Sequence, residues 1–350
     1  MRFSHVARGS FVPSAPRSVT VLPAGPAIAA ALRRLRTRRG TAAAVTLLGL
    51  ASLGVLAGAN AGASTVTVAP TFTAGSWWNT PLPANAPEDI YSPAYIADSQ
   101  NPLHSQNYLK LSIGSWGAPM FTATAADPVY TVSSGTYGSG SVTLHIPAAA
   151  RPQPTSDAAI TIYDSATNQV VGMWGAAFDA TKNVWTARGI DRYYLTSEGV
   201  AAKSGGTKGN TGHRGISGSF RGVRQDEVLA GAIRHRLEVF WWATAGQTPE
   251  GASAYWPMTG SEQGKGGIVP EGIVLRIRPD VDLSKLPLTP AALVVAQALQ
   301  TYGAIVGDNS GSGNNLKVQS NVSWAGLLDK DSLKSIPWSD YQFVQGGYRP

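Results

Sequence analysis

The chain has 350 residues, which is enough for one large all-β domain or two average ones. It contains no cysteine, and this excludes disulfides, thiol nucleophiles and cysteine-ligated metals. Of its 28 basic and 21 acidic residues, eight basic and no acidic ones lie in residues 1–63. Residues 64–350 therefore carry a net charge of −1. This segment lacks the excess of basic residues that is typical of nucleic-acid-binding proteins. We expect no nucleic-acid partner.

A secretory signal peptide is predicted at the N-terminus. Residues 1–39 carry all eight arginines, and residues 41–63 are apolar, uncharged and end in two overlapping A-x-A sites. A basic region, an apolar region and small cleavage residues are typical of a signal peptide. We expect residues 1–63 to be removed and residues 64–350 to form a secreted, extracellular β-rich domain without membrane attachment. A membrane anchor is the alternative, because the apolar run is just long enough to span a bilayer.

The middle of the chain, from about residue 112 to 188, follows a strand–turn–strand pattern. Val142, Leu144 and Ile146 alternate with polar residues, and two D-x-x-x-N turns stand at residues 164–168 and 179–183. This pattern predicts an antiparallel meander. Further strands are predicted at residues 232–243, 271–279 and 341–344, and a short helix at residues 324–333.

One longer helix is predicted after Thr289. Thr289 suits the N-cap, Pro290 the first helical position and Gly303 the residue after the helix. The strands and the helices together predict a mainly β fold. We expect one antiparallel β-sandwich or jelly-roll-like domain with one or two packed helices.

The stretch "QDEVLAGAIRHRLEVFWWAT" (residues 225–244) places an acid and a histidine near one strand. On strand spacing His235 falls on the more apolar face, so it is either a buried structural histidine or a general acid–base. Glycoside hydrolysis needs two carboxyl groups. We expect Glu227 to be one and Asp179 or Asp308 to be the other. The full set of candidate carboxylates is Asp179, Asp191, Asp226, Glu227, Glu238, Glu262, Glu271 and Asp308.

Binding residues are predicted in two groups. His213 and Arg214 lie in a glycine-rich loop (residues 203–219), where they suit a uronate or, with Tyr193 or Tyr194, a β-elimination. Trp77–Trp78 and Trp241–Trp242 are adjacent pairs, in which we expect one ring to be exposed to sugars. The substrate-binding set is Trp78, Trp242, Trp256, His213, Arg214 and Arg236.

Metal and cofactor motifs are weak. The five histidines are scattered, and neither an H-E-x-x-H motif nor an EF-hand loop occurs. We expect no cofactor, with a structural Ca²⁺ at an aspartate-rich turn as the alternative.

Three stretches carry a resemblance to a known family. They are "SWWNTPLPANAPEDIYS", "VRQDEVLAGAIRHRLEV", and "PEGIVLRIRPDVDLSKL" with "ALQTYGAIVGDNSG". They resemble a family of secreted bacterial proteins of poorly defined function, associated with soil actinobacteria. The chain departs from that pattern at Arg236, where the pattern has alanine, and in the loop before His213. The matching positions are Trp78, Asn79, Pro81, Pro83, Asp179, Glu227, Gly231, His235, Pro257, Tyr302, Gly303 and Asp308.

These patterns together predict a secreted, monomeric glycoside hydrolase that acts on an extracellular polysaccharide. Glu227 would work with Asp179 or Asp308, and His235 would orient or share a proton. One alternative is a polysaccharide lyase that uses His213 and Arg214. The other is a non-catalytic protein that binds carbohydrate or cell wall.

Overall fold

The computed structural model describes residues 72–101, 107–138, 140–200, 214–216, 221–262 and 265–350. All of these residues belong to one compact unit, residues 62–350. The predicted signal peptide, His213 and most of the glycine-rich loop lie outside the described residues.

The first of two sheets has six strands. Across the sheet they are β1 (Lys110–Leu111), β12 (Asn315–Leu316), β9 (Leu237–Trp242), β11 (Ala304–Ser310), β10 (Val274–Ile277) and β13 (Tyr341–Val344). β9 and β11 are parallel neighbours at its centre, and their register shifts between Val306 and Asp308. The shift is a bulge, which re-aims the side chains that follow it.

The second sheet has seven strands. In spatial order they are β2 (Met120–Ala123), β5 (Ile160–Asp164), β6 (Gln169–Trp174), β8 (Val184–Tyr194), β3 (Val129–Gly138) and β4 (Ser141–His145), with β7 (Ala177–Asp179) also paired to β8. The predicted turns are confirmed: Asp164 accepts from the backbone of Ala166, and Asp179 accepts from that of Thr181. These bonds are the Asx-turn chemistry expected of aspartate.

Within the described residues, three α-helices accompany the sheets: α1 (Ser92–Ser99), α2 (Gln225–Leu229) and α3 (Pro290–Thr301). Leu283–Lys285 and Trp338–Asp340 form short 3-10 helices. α3 begins as predicted, because the Thr289 hydroxyl accepts from the Ala292 backbone at 3.2 Å. It ends before Gly303, whose φ of +76° favours glycine.

The mainly β sandwich with a few helices is confirmed. One core cluster joins the sheets: Tyr163, Val170 and Tyr193 of the seven-stranded sheet pack with Val274 and Ile305 of the six-stranded sheet. Separate clusters fill the far faces of the two sheets, the larger of them beneath α3. The facing surfaces of the two sheets therefore meet at one end, and a cleft lies where they part.

Three local expectations need correction. Both sheets are mixed, since β2–β5, β3–β8, β9–β11 and β1–β12 are parallel pairs. The predicted helix at residues 324–333 is a series of turns. The strand predicted at residues 232–243 begins only at Leu237, because the Arg236 backbone N–H donates to the Trp78 carbonyl instead of to a neighbouring strand. The residues before it, Gln225–Leu229, form a helix that is followed by a turn at Gly231, with φ of +79°.

Candidate functional site

A cleft of about 900 Å³ opens between the two sheets. Side chains alternate along β6 and β8, so Gly172 and Trp174 share one face with Gly189 and Asp191, their partners across the strand pair. This is the same face that packs against the other sheet through Val170. Beyond that contact the two glycines add no side chain, and the space between the sheets stays open.

Asp191 lies directly across Gly172. A Cβ atom added at position 172 would stand 2.3 Å from the Asp191 Oδ1 atom, well inside contact distance. The missing side chain at Gly172 therefore makes room for the Asp191 carboxylate on the cleft wall.

Asp308 lies on the opposite wall, in β11 of the six-stranded sheet. It is paired with Phe240 at the bulge, and its Oδ1 atom accepts from the Asn309 backbone at 2.9 Å. The bulge thus brings a carboxylate from one sheet into the cleft that Asp191 enters from the other.

Two partly exposed indoles line the cleft. Trp116 is 57% exposed and Trp174 is 38% exposed. The Trp174 Nε1 atom donates to Asp157 Oδ1 at 3.4 Å, and the Arg188 guanidinium lies over the Trp174 ring at 5.5 Å. Aromatic rings beside hydrogen-bonding groups are typical of a small-molecule site, where the rings supply apolar contact and the polar groups fix the orientation of the ligand.

Lys317 and Arg214, the cations that the described residues place on the cleft wall, each lie beside acids. The Lys317 ammonium lies 2.8 Å from buried Glu238, which also meets Arg221 at 3.3 Å. Arg214 lies 3.4 Å from Glu262 and 3.6 Å from Glu271.

Glu262 is ionised at this end of the cleft. Burial acts to raise the pKa of its carboxyl group, but the hydrogen bond from Lys265 and the charge of Arg214 outweigh burial. The pKa is therefore below its usual value. Glu262 is thus a poor proton donor at neutral pH.

Of the predicted catalytic and substrate-binding residues, Asp308 and Arg214 line this cleft, and Asp191 and Glu262 of the wider set of candidate carboxylates line it as well. Glu227 and His235 form a buried pair instead, with Nε2 of the ring 3.0 Å from the carboxylate, and Nδ1 donates to the Arg236 carbonyl at 2.9 Å. Burial acts to raise the pKa of Glu227, but His235 and Arg224 outweigh it and lower the pKa. Glu227 lines neither this cleft nor the cavity of about 360 Å³ beside α2.

Asp179 also lies apart from the cleft wall. It holds the β7–β8 turn through the backbone of Thr181 and Lys182 and an ion pair with the Lys182 side chain at 3.0 Å. Those contacts lower its pKa, the Lys182 hydrogen bond most. The structure does not bring Asp179 and Glu227 to one cavity.

The predicted aromatic platforms are mostly interior. Trp78 is fully buried, donates to the Gly199 carbonyl at 2.8 Å and lies under the Arg221 guanidinium. Trp77 is buried too, so the expectation of one exposed ring in that pair is wrong. In the other pair Trp241 is buried and Trp242 is half-buried. Trp256 is half-buried beneath Arg349 and against Trp77.

Arg236 is a buried structural residue. Its guanidinium donates to the backbone carbonyls of Tyr302 at 2.8 Å, Thr80 at 3.3 Å and Trp77. Burial and the neighbouring Arg276 lower its pKa to about 9, so it stays charged at neutral pH. It clamps the chain from Trp77 to Thr80 onto the turn between α3 and β11.

Sequence reasoning missed the aromatic and glycine residues of the cleft. Asp191 stood among the candidate carboxylates, but Trp116 and Trp174 were not distinguished from the other tryptophans. A signal exists in "VGMWG", where glycine and tryptophan take alternate positions on one strand face. Whether this face lines a cleft depends on which face of the strand meets the other sheet, and the local sequence does not determine that.

No protein-family model, curated protein or solved structure matches this chain. Within the described ranges, no group of three or more His, Asp or Glu side chains is placed to hold a metal ion. No helix in that part of the chain is long and apolar enough to cross a membrane.

Proposed function

We propose that this chain is a secreted carbohydrate-active enzyme that hydrolyses an extracellular polysaccharide in the cleft between its sheets. One observation carries the proposal: the cleft combines two exposed indoles with carboxylates from both facing sheets. Aromatic platforms hold sugar rings, and carboxylates on either side of a glycosidic bond supply the chemistry.

Asp308 and Asp191 are the proposed catalytic pair. They come from opposite walls, so a sugar chain in the cleft passes between them. The described part of the cleft wall has two further carboxylates: Asp157 accepts from the Trp174 indole, and Glu262 is paired with Lys265 and Arg214. Both lie outside the strands, so Asp308 and Asp191 are the carboxylates that the two sheets supply to the described wall.

The hydrolysis needs one proton donor and one group that assists the attack. One carboxyl group donates its proton to the glycosidic oxygen as the bond to the anomeric carbon breaks. The other, as a carboxylate, accepts a proton from the water whose oxygen bonds to that carbon. In this proposal Asp191 has the role that we expected of Glu227, while Asp308 keeps its predicted role.

A lyase has less support from this cleft. Arg214 is already paired with two acids, so it is a weak partner for a uronate carboxylate. Tyr193 is buried, and burial raises the pKa of its hydroxyl, while Tyr194 points to the outer face of the sheet. Neither tyrosine lines the cleft.

A reducing-end assay over plant, algal and bacterial wall polysaccharides tests the proposal. The wild-type chain is expected to release new reducing ends from at least one of them. Asp308→Asn and Asp191→Asn are each expected to lower the rate at least ~100-fold, the size of a lost acid or base. Asp280→Asn, an exposed residue paired with Arg278, is the matched control and keeps the rate.

Two results would count against this assignment. Polysaccharide binding without any new reducing ends would support a non-catalytic binding protein. Full activity in both cleft variants would place the chemistry elsewhere in the chain. Trp174→Ala separates binding from chemistry, because loss of a stacking platform is expected to weaken binding by roughly tenfold.

A further inference from the structure

We propose that the cavity beside α2 is a second binding site, where the edge of β2 holds a small ligand through an amide group. The cavity has a volume of about 360 Å³, and it shares no lining residue with the cleft between the sheets. The group that it recognises is an amide with its N–H and its C=O on the same side, as in a primary carboxamide or a lactam. This site goes beyond the proposed hydrolysis and does not depend on it.

The backbone of β2 is paired on one side only, because β2 is the edge strand next to β5. The Thr161 N–H donates to the Pro119 carbonyl at 2.9 Å, and the Ser165 N–H donates to the Ala123 carbonyl at 3.1 Å. Backbone groups of successive residues point to opposite sides of a parallel strand. The even-numbered residues of β2 therefore direct both their N–H and their C=O away from β5.

The first of these outward pairs, at Met120, is already met by an amide. Asn321 Oδ1 accepts from the Met120 N–H at 2.9 Å, and Asn321 Nδ2 donates to the Met120 carbonyl at 2.8 Å. Gln319 Nε2 adds a second donor to that carbonyl at 3.2 Å. One carboxamide thus satisfies both backbone groups of one edge residue, as a neighbouring strand would. The ligand chemistry that we propose is the chemistry this edge already accepts.

The next outward pair, at Thr122, is open. Thr122 lines the cavity and is exposed, and none of the described residues outside β5 hydrogen-bonds to its backbone. Beyond it, Asp127 Oδ2 accepts from the Thr124 N–H at 2.9 Å. The open stretch therefore lies between two side-chain contacts and is one residue long. That length is too short for an added strand, and it fits a single amide.

The rest of the cavity wall offers contact for the body of such a ligand. Phe121, Val322 and Leu229 contribute apolar surface, and Leu229 is 56% exposed. Binding sites for small molecules have volumes of roughly 300–1,000 Å³, are largely apolar and contain a few placed polar groups. This cavity is at the small end of that range. We therefore expect it to hold one ring that carries the amide.

An NMR titration of the full chain with three related probes tests the site. Benzamide presents its N–H and C=O on the same side, N-methylbenzamide presents only one of them on each side, and benzoate has no donor. With isotope labels on the threonine nitrogens, benzamide is expected to shift the Thr122 amide signal. It is expected to bind about 5-fold more tightly than either analogue, the size of one net hydrogen bond.

Two substitutions at position 122 separate the backbone from the side chain. Thr122→Pro removes the N–H, and proline suits an edge strand where that N–H points away from the ladder. We expect an unchanged Tm and about a 5-fold loss of affinity for benzamide. Thr122→Val keeps the N–H and removes only the side-chain hydroxyl, so it is the matched control. It identifies the Thr122 signal by its absence and is expected to keep the affinity.

Several results would overturn this proposal. They are equal affinities for benzamide and N-methylbenzamide, a Thr122 signal that does not shift, or full affinity in Thr122→Pro. Tighter binding of benzoate would do so too, because it would indicate recognition by Arg224 on the cavity wall. If Thr122→Pro lowers the Tm, Leu229→Trp replaces it: the exposed position tolerates a larger ring, which is expected to fill the cavity and prevent binding. Unchanged binding in that variant would place the ligand elsewhere.

Discussion

Glu227 and His235, which the sequence suggested as catalytic residues, form a buried pair with each other. Both side chains are nearly inaccessible, and the Arg224 guanidinium lies 3.5 Å from the Glu227 carboxylate. This buried contact joins α2 to the segment just before β9. Burial alone would raise the pKa of Glu227, but its contacts with His235 and Arg224 lower the pKa, so the carboxylate stabilises the folded state.

Glu227→Gln is expected to destabilise the fold and to spare the chemistry. Removing one partner of a buried pair costs roughly 3 kcal/mol. The folded-state pKa of Glu227 lies below its ordinary value of 4.5, so its contribution is present above that value and disappears as the pH falls through the folded-state pKa. Urea unfolding from neutral to acidic pH measures this.

The difference in unfolding free energy between wild type and Glu227→Gln should therefore shrink toward acidic pH. Activity per folded molecule should stay within a few-fold. A variant with wild-type stability and no activity would restore Glu227 as a catalytic group.

At the scale of elements, the strand pair β6–β8 determines where Asp191 lies. Gly172→Ala puts a methyl group 2.3 Å from the Asp191 carboxylate, which must rotate away. Misplacement of a reacting group by about 1 Å costs up to ~100-fold in rate. We expect a rate loss of about 10–100-fold with sugar binding retained, measured by reducing ends and by titration.

Gly135→Ala is the matched control for that prediction. Gly135 lies in β3 of the same sheet, and its added Cβ would meet only the Ala187 carbonyl, at an ordinary 3.7 Å. Equal rate losses in the two variants would show a general effect on the sheet rather than on Asp191.

Elements with local signals were predictable, and those decided by tertiary contacts were not. Thr289 and Gly303 mark the ends of α3 because capping is a property of neighbouring residues. The start of β9 is different. Residues before Leu237 alternate like a strand, but the Arg236 backbone donates to the distant Trp78 carbonyl instead of joining the sheet.

At the scale of the whole molecule, composition and periodicity predict a β-sandwich but not its cleft. Asp308 and Asp191 are 117 positions apart in the sequence, and they share a cleft only because two sheets face one another. Single-sequence patterns identify which residues share a strand face, but they do not identify which face is covered. The acid next to a histidine therefore stood out in the sequence, although its place is inside the fold.

Arg236 connects distant parts of the molecule, and its replacement tests that connection. Arg236→Met leaves the carbonyls of Trp77, Thr80 and Tyr302 without their donor. Lost bonds to a charged group cost about 2–3 kcal/mol. We expect a lower Tm, with chymotrypsin cutting after Trp77 or Trp78 before the rest of the chain. Arg234→Ala, two residues away and exposed, is the control. Unchanged cleavage in Arg236→Met would mean that residues 77–80 stay in place without the Arg236 hydrogen bonds.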